Sequence, residues 1–239
     1  MTLGGDWWLA ARGSVAAIAS IDADVANAAF GTPRSIVLGG WPGATTGQAW
    51  ASSSAFAESV REGTIAPDVR AVMYDPERWD ATPPDEQRDP IGSILAFCRV
   101  SRASGYVTIV TPHPGLVEVP GVPHQMAPGE DRDEAYLRSG IMRASAVGAD
   151  VCEIQAQRHQ RDPARYREIV RRAADQAREA KPDVIVLSGL STHPGYPATA
   201  QMLRAAWEGV RDVVDGHYLS LARLRRVEAA VDFLRFAMR

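Results

Sequence analysis

The chain has 239 residues, 46% of them hydrophobic and 23% charged, with a formal net charge of −3 at pH 7. That length buries one sizeable core and suits an α/β barrel of about 250 residues, so a single domain over 1–239 is expected. Arg, Asp and Glu are interspersed with no basic stripe, which argues against nucleic acid or an anionic membrane as partner and for a small-molecule substrate.

The first 33 residues are Ala-rich, with Trp7 and Trp8 near the start, and read as an irregular N-terminal segment in which Val15–Ile21 is helix or strand. Arg34–Gly40 is the first clear strand and runs into Trp41-Pro42-Gly43; Thr45–Glu62 follows with helix-like spacing and a polar start suited to a cap. Val69–Asp75 is the second strand and Pro90–Ser104 a helix stopped by Gly105. Tyr106–Thr111 is the third strand. The loop Pro112–Gly129, rich in Pro and Gly, is long enough to be a lid and leads to a helix over Asp131–Val147. Ala149–Gln157 is the fourth strand, Asp162–Ala180 a polar amphipathic helix, and Asp183–Ser188 the fifth strand. A helix over Pro197–Val214, a sixth strand at His217–Leu221 and a closing helix at Val227–Met238 complete the chain.

Strand and helix thus alternate as repeated βα units, the signature of a parallel sheet. A TIM-like (β/α) barrel is favoured over an open doubly wound sheet, because polar residues gather at the C-terminal strand ends and no Gly-x-Gly-x-x-Gly follows the first strand. Six strands are two short of a regular barrel. The N-terminal segment is a source of one more, and the closure is expected to be irregular or incomplete. Strands one, three and five end in Trp41-Pro42-Gly43, His113-Pro114-Gly115 and His193-Pro194-Gly195. These are either three similar turns or three rings presented at one mouth.

Cys98 and Cys152 are the only cysteines and read as small buried hydrophobes. The N-terminus has no basic segment followed by an apolar run, and no stretch approaches the ~18 apolar residues of a membrane helix, so a cytoplasmic location is expected. Lys181, the single lysine, sits at the N-terminal end of a strand, which disfavours Schiff-base chemistry in a barrel.

The strand Ala149–Gln157 carries the strongest site signal. Alternation puts Glu153, Gln155 and Gln157 on one face, and an acid with two amides on a buried face implies a polar cavity. Partial burial would raise the pKa of Glu153 and suit it to general acid catalysis. Asp75 and Glu77 share a parity at the end of strand two and are its candidate partners, while His113 and His193 are candidates for proton shuttling or substrate contact. The histidines and carboxylates include ligand types for a divalent ion, but no close-spaced ligand set occurs, so neither metal nor organic cofactor is expected. Trp41, Tyr74, Trp79, Tyr196 and Tyr218 lie at or beyond strand ends, where rings can hold a sugar face or an apolar ligand. Among these, Trp41, Tyr74 and Tyr218, with Gln155 and Gln157, are the expected substrate contacts. His124, His159 and His217 are expected to pack or face solvent. A phosphate-binding loop, a Gly-x-Ser-x-Gly elbow, and kinase and dinucleotide fingerprints are all absent.

The βα repeats, Tyr74-Asp75-Pro76-Glu77 with Trp79, and Glu153 at the end of strand four resemble the (β/α)-barrel enzymes that include the glycoside hydrolases. The resemblance is architectural and covers roughly Arg34–Arg239. It implies an acid/base role for Glu153. It departs from the pattern where those enzymes carry a second carboxylate late in the barrel, since strands five and six end in ValLeuSerGly and TyrLeuSerLeu. The partner must then be Asp75 or Glu77. Glycoside-hydrolase-like hydrolysis is the expected activity; the alternatives are a cofactor-independent lyase, isomerase or cyclase and a barrel that only binds its ligand.

Overall fold

A computed structural model describes residues 6–238 of the chain; the first five residues of the N-terminal segment lie outside them. Eight strands follow one another in sequence order around a closed barrel, and every described strand pair is parallel. They are β1 (Trp7–Ala11), β2 (Ser35–Leu38), β3 (Thr45–Trp50), β4 (Ala71–Tyr74), β5 (Val107–Val110), β6 (Val151–Ile154), β7 (Ile185–Ser191) and β8 (Gly216–Ser220). This settles the architecture as a (β/α) barrel and removes the open-sheet alternative.

Both strands beyond the expected six lie near the N-terminus. Trp7–Ala11 forms β1 within the segment expected to be irregular, and helices α1 (Arg12–Ile21) and α2 (Ala23–Phe30) follow it. The stretch Thr45–Glu62, read as one helix, divides into β3 and helix α3 (Ser53–Glu62). The physical reason is local. ThrThrGlyGlnAlaTrp combines β-branched and aromatic residues with a glycine, all poor in a helix. The helix begins where Ser52 accepts the amide of Ala55 at 3.1 Å, so the cap lies seven residues later than the expected one.

The remaining helices are α4 (Pro84–Arg88), α5 (Pro90–Ala103), α6 (Arg132–Arg138), α7 (Ile141–Gly148), α8 (Pro163–Ala180), α9 (Ala200–Val210) and α10 (Val227–Ala237). The expected helix over Asp131–Val147 is broken at Gly140, whose φ of +78° is left-handed and ends α6. None of the described helices is long and apolar enough to cross a membrane.

The chain divides into two compact units, one of Met1–Gly47, Ala156–Arg171 and Leu187–Arg239, the other of Gln48–Gln155 and Arg172–Val186. In the first, Trp8 of β1 meets Phe30 edge-on at 5.8 Å and lies 6.4 Å from Phe233 and 5.5 Å from His217. In the second, Phe97 of α5 stacks on Tyr74 at 5.1 Å and packs against Phe56 at 4.3 Å. Cys98 and Cys152 are free and buried, and burial pushes the Cys98 thiol up to about 12, so both act as small apolar groups.

Candidate functional site

Alternation along β4 decides which side chains reach the site. The Tyr74 hydroxyl donates to Glu86 Oε2 at 2.8 Å and its ring stacks on α5, so Tyr74 faces the helix layer. Asp75, next in the chain, has the opposite parity. Its backbone amide extends the sheet by donating to the Trp50 carbonyl at 3.0 Å, and the Thr111 amide donates to the Tyr74 carbonyl at 3.0 Å.

The Asp75 carboxylate is held at the C-terminal ends of β4, β5 and β6. Thr111 Oγ1 donates to its Oδ1 at 2.7 Å, and Gln155 Nε2 donates to the same oxygen at 3.2 Å. The Gln155 amide also donates to the Thr111 carbonyl at 2.7 Å and to the Glu77 carboxylate. Gln155 therefore ties three strand ends to two carboxyl groups. Glu153, two residues earlier on β6, is 0% exposed.

The electrostatics follow from this crowding. Burial, reinforced by the charges of Asp75 and Glu77, holds the Glu153 carboxyl well above the usual carboxylate range. Burial likewise raises Asp75 to about 6, opposed by the hydrogen bonds from Thr111 and Gln155. Glu77 is raised to about 7 by burial and by the charge of Asp75, opposed by Gln155. These mutual effects place Asp75, Glu77 and Glu153 in one electrostatic cluster. Among the described residues no three His, Cys, Asp or Glu side chains are arranged to hold a metal ion.

His113 joins this cluster through the backbone, its amide donating to the Pro76 carbonyl at 3.1 Å, between Asp75 and Glu77. Its Nδ1 accepts the Gly115 amide at 3.0 Å, which leaves Nε2 to carry the proton of the neutral ring. A Cβ at position 115 would lie 2.8 Å from that nitrogen, so Gly115 is there to let the ring approach. The Trp41 and His193 turns lack this contact: the Ala44 amide donates to the Trp41 carbonyl, and the Gly195 amide to that of His193. The Pro-Gly repeat is thus a repeat of turn residues in which, among the described residues, the ring of His113 alone is bonded to the amide of the turn glycine.

Tyr136, on α6, joins this region only in the folded chain. It is buried, its hydroxyl donates to the Pro112 carbonyl at 3.4 Å, and burial with the nearby Cys152 and Glu153 holds its pKa above the ordinary range. Only its position as the aromatic residue on the apolar side of an otherwise polar turn, ArgAspGluAlaTyrLeu, hints at it.

The structure corrects two assignments. The Tyr74 ring stacks on α5 and its phenol donates to Glu86, so it turns to the helix side of β4 and not to the side of Asp75. The extended run ends at Ile154, and Gln157 opens a 3-10 turn over Gln157–His159, so the alternation that was to bring Gln157 beside Gln155 stops short of it.

Trp41, His193 and Tyr218 belong, like Gln157, to the first unit. Trp41 Nε1 donates to Asn27 Oδ1 at 3.2 Å. The His193 amide donates to Ser191 Oγ at 3.1 Å, and Arg225 Nη1 lies 3.4 Å from its Nε2. On β8, His217 is buried against Trp8 and Trp207, within 2.9 Å of Ser188 Oγ, and burial lowers its pKa to about 3. It is a packing residue, as expected, and Tyr218 and Ser220 share the opposite face of the strand.

No protein-family model matches the chain, and no curated protein matches it. Solved structures share its fold. Triosephosphate isomerase from Bartonella henselae matches 96% of this chain and 96% of its own, with TM-score 0.55 and 12% identity. A chitinase from Chromobacterium violaceum matches 98% of this chain and 100% of its own, with TM-score 0.52 and 15% identity. A Bacteroides thetaiotaomicron protein provisionally named an alpha-L-fucosidase matches 77% of this chain with TM-score 0.52 and 12% identity, and this chain spans 61% of its length. At such identities the likeness is one of fold, and this fold carries hydrolases and isomerases alike.

Proposed function

We propose that the chain is an enzyme hydrolysing glycosidic or closely related bonds, with Glu153 as proton donor and Asp75 as its ionised partner. The observation that carries this reading is the cluster of Asp75, Glu77 and Glu153 at the C-terminal ends of β4 and β6, in which burial favours the protonated form of the most buried member. Glycoside hydrolysis needs one carboxyl group that keeps its proton and one that has lost it. Glu153 suits the first role. Asp75 titrates lowest of the three and receives two hydrogen bonds that favour its anion, so it suits the second.

In this reading the Glu153 proton passes to the leaving-group oxygen, and Asp75 activates water or attacks the anomeric carbon. The separation of the carboxyl groups sets retention or inversion. The test is hydrolysis of a panel of 4-nitrophenyl and natural disaccharide glycosides. Glu153→Gln lowers kcat/KM by about 10²–10⁴ on sugar leaving groups, which need protonation, and by less on 4-nitrophenolate, which does not. Activity indifferent to Glu153, or no hydrolysis of any glycoside, would end this reading.

A second reading, a cofactor-independent proton-transfer enzyme, draws on the locked ring of His113. In it His113, its ring held by the Gly115 amide, orients the substrate, Glu153 donates to a developing oxyanion, and Asp75 or Glu77 is the base. Enzyme-catalysed exchange of substrate C–H for deuterium in D2O, seen by NMR, would distinguish it from hydrolysis.

A further inference from the structure

Trp79 is the one aromatic among the exposed large hydrophobic side chains of the described residues, 44% exposed in the loop that follows β4. An indole normally repays burial of its ring, so one left in water two residues from Glu77, a member of the carboxyl cluster, is a candidate surface for a ligand. Its exposure is not that of a loose loop. The indole N–H donates to Thr82 Oγ1 at 2.8 Å, and the same buried hydroxyl accepts the backbone amide of Glu77 at 3.2 Å. Gln87 Nε2 donates to the carbonyls of both Trp79 and Thr82 at 2.7 Å, and Arg78 pairs with Glu118 at 2.8 Å. The ring and the backbone of Glu77 thus hang from one hydroxyl, with their Cα atoms within about 7 Å along the chain.

Because its N–H is already used, the indole offers a ligand only its apolar ring face. A rigid face loses little entropy on binding, the condition for a stacking platform. We infer that Trp79 binds a sugar ring next to the scissile bond by stacking on its C–H face. This rests on the glycosidase reading of the carboxylates. A cation is the other partner an indole face accepts. The glycosidase reading of the neighbouring carboxyl groups selects the sugar, and the experiment separates the two.

The experiment compares wild type, Trp79→Ala and Trp79→Phe. Calorimetric titration with cello-, chito-, xylo- and malto-tetraose gives Kd, and hydrolysis of the matching tetrasaccharide and 4-nitrophenyl monosaccharide gives KM and kcat. Trp79→Ala should raise Kd and KM for the bound tetrasaccharide about tenfold, with Trp79→Phe between. Unchanged tetrasaccharide KM, while Glu153-dependent hydrolysis persists, overturns the Trp79 assignment alone. Failure of wild type to bind or cleave any saccharide overturns both readings. Tetramethylammonium binding that depends on Trp79 while the saccharides do not bind also overturns the sugar assignment.

Discussion

Gln155 has hydrogen bonds to Asp75, Glu77 and the Thr111 carbonyl, which occupy its amide protons. A side chain so committed holds the carboxylates in place, whereas the sequence suggested that it touches substrate. The two roles predict different kinetics. In Gln155→Leu the anions of Asp75 and Glu77 each lose a donor, so both groups become harder to ionise and the acidic limb of the kcat/KM profile moves up by about one pH unit. A profile that stays put while KM rises would return Gln155 to substrate contact. The parity that singled out Asp75 and Glu77 also places Tyr74 on the other side of β4, so that correction was legible in the sequence.

At the scale of elements, Tyr74 belongs to a polar knot between β4 and the start of α3. Glu86 accepts the Tyr74 hydroxyl, the hydroxyls of Ser52 and Ser54, and the amides of Ser53 and Ser54 at 2.7–3.0 Å. Burial alone would raise the Glu86 pKa, but the Ser54 and Ser53 amides and Tyr74 pull it below the ordinary value. A carboxylate at the first turn of a helix also meets the positive end of the helix dipole. Tyr74→Phe should cost about 1–3 kcal/mol in chemical denaturation, since it leaves a buried acceptor short of a donor, and should leave KM unchanged. A KM effect without a loss of stability would restore Tyr74 to the site. The missed strand β3 shows the same limit at this scale: a polar residue before an apolar run reads as a cap wherever it occurs. Which serine or threonine does the capping depends on where the preceding strand ends, and that is set by its neighbours in the sheet.

Across the whole molecule, two sets of buried groups make stability depend on pH in opposite directions. Asp75 and Glu77 titrate at about 6 and 7, above their ordinary 3.8 and 4.5. Between about pH 4 and pH 7 the folded chain therefore keeps protons that the unfolded chain has lost, and their contribution to stability is lost as pH rises through that window. His217 acts oppositely: it titrates at about 3 in the fold against an ordinary 6.5, so stability is lost as pH falls from about 6.5 to 3. Asp75→Asn should raise stability at pH 8 by on the order of 2 kcal/mol, with little gain at pH 4. His217→Gln should flatten the acid side. Thermal melts from pH 4 to pH 8 test both, and an Asp75→Asn gain that is equal at pH 4 and pH 8 would refute the assignment to ionisation.

The sequence by itself determined the βα alternation, six of the eight strands and the parity of Asp75, Glu77 and Glu153, because these depend on the period of neighbouring side chains. Only the tertiary structure decided the rest. Closure at eight strands required pairing between β1 and β8, at opposite ends of the chain. The chemistry of the carboxylates required Gln155 to reach Asp75 across 80 residues and Glu153 to lose its water. Hydrogen bonding and desolvation act through space, so a group's protonation follows from which strands lie side by side, which residue spacing along the chain does not record.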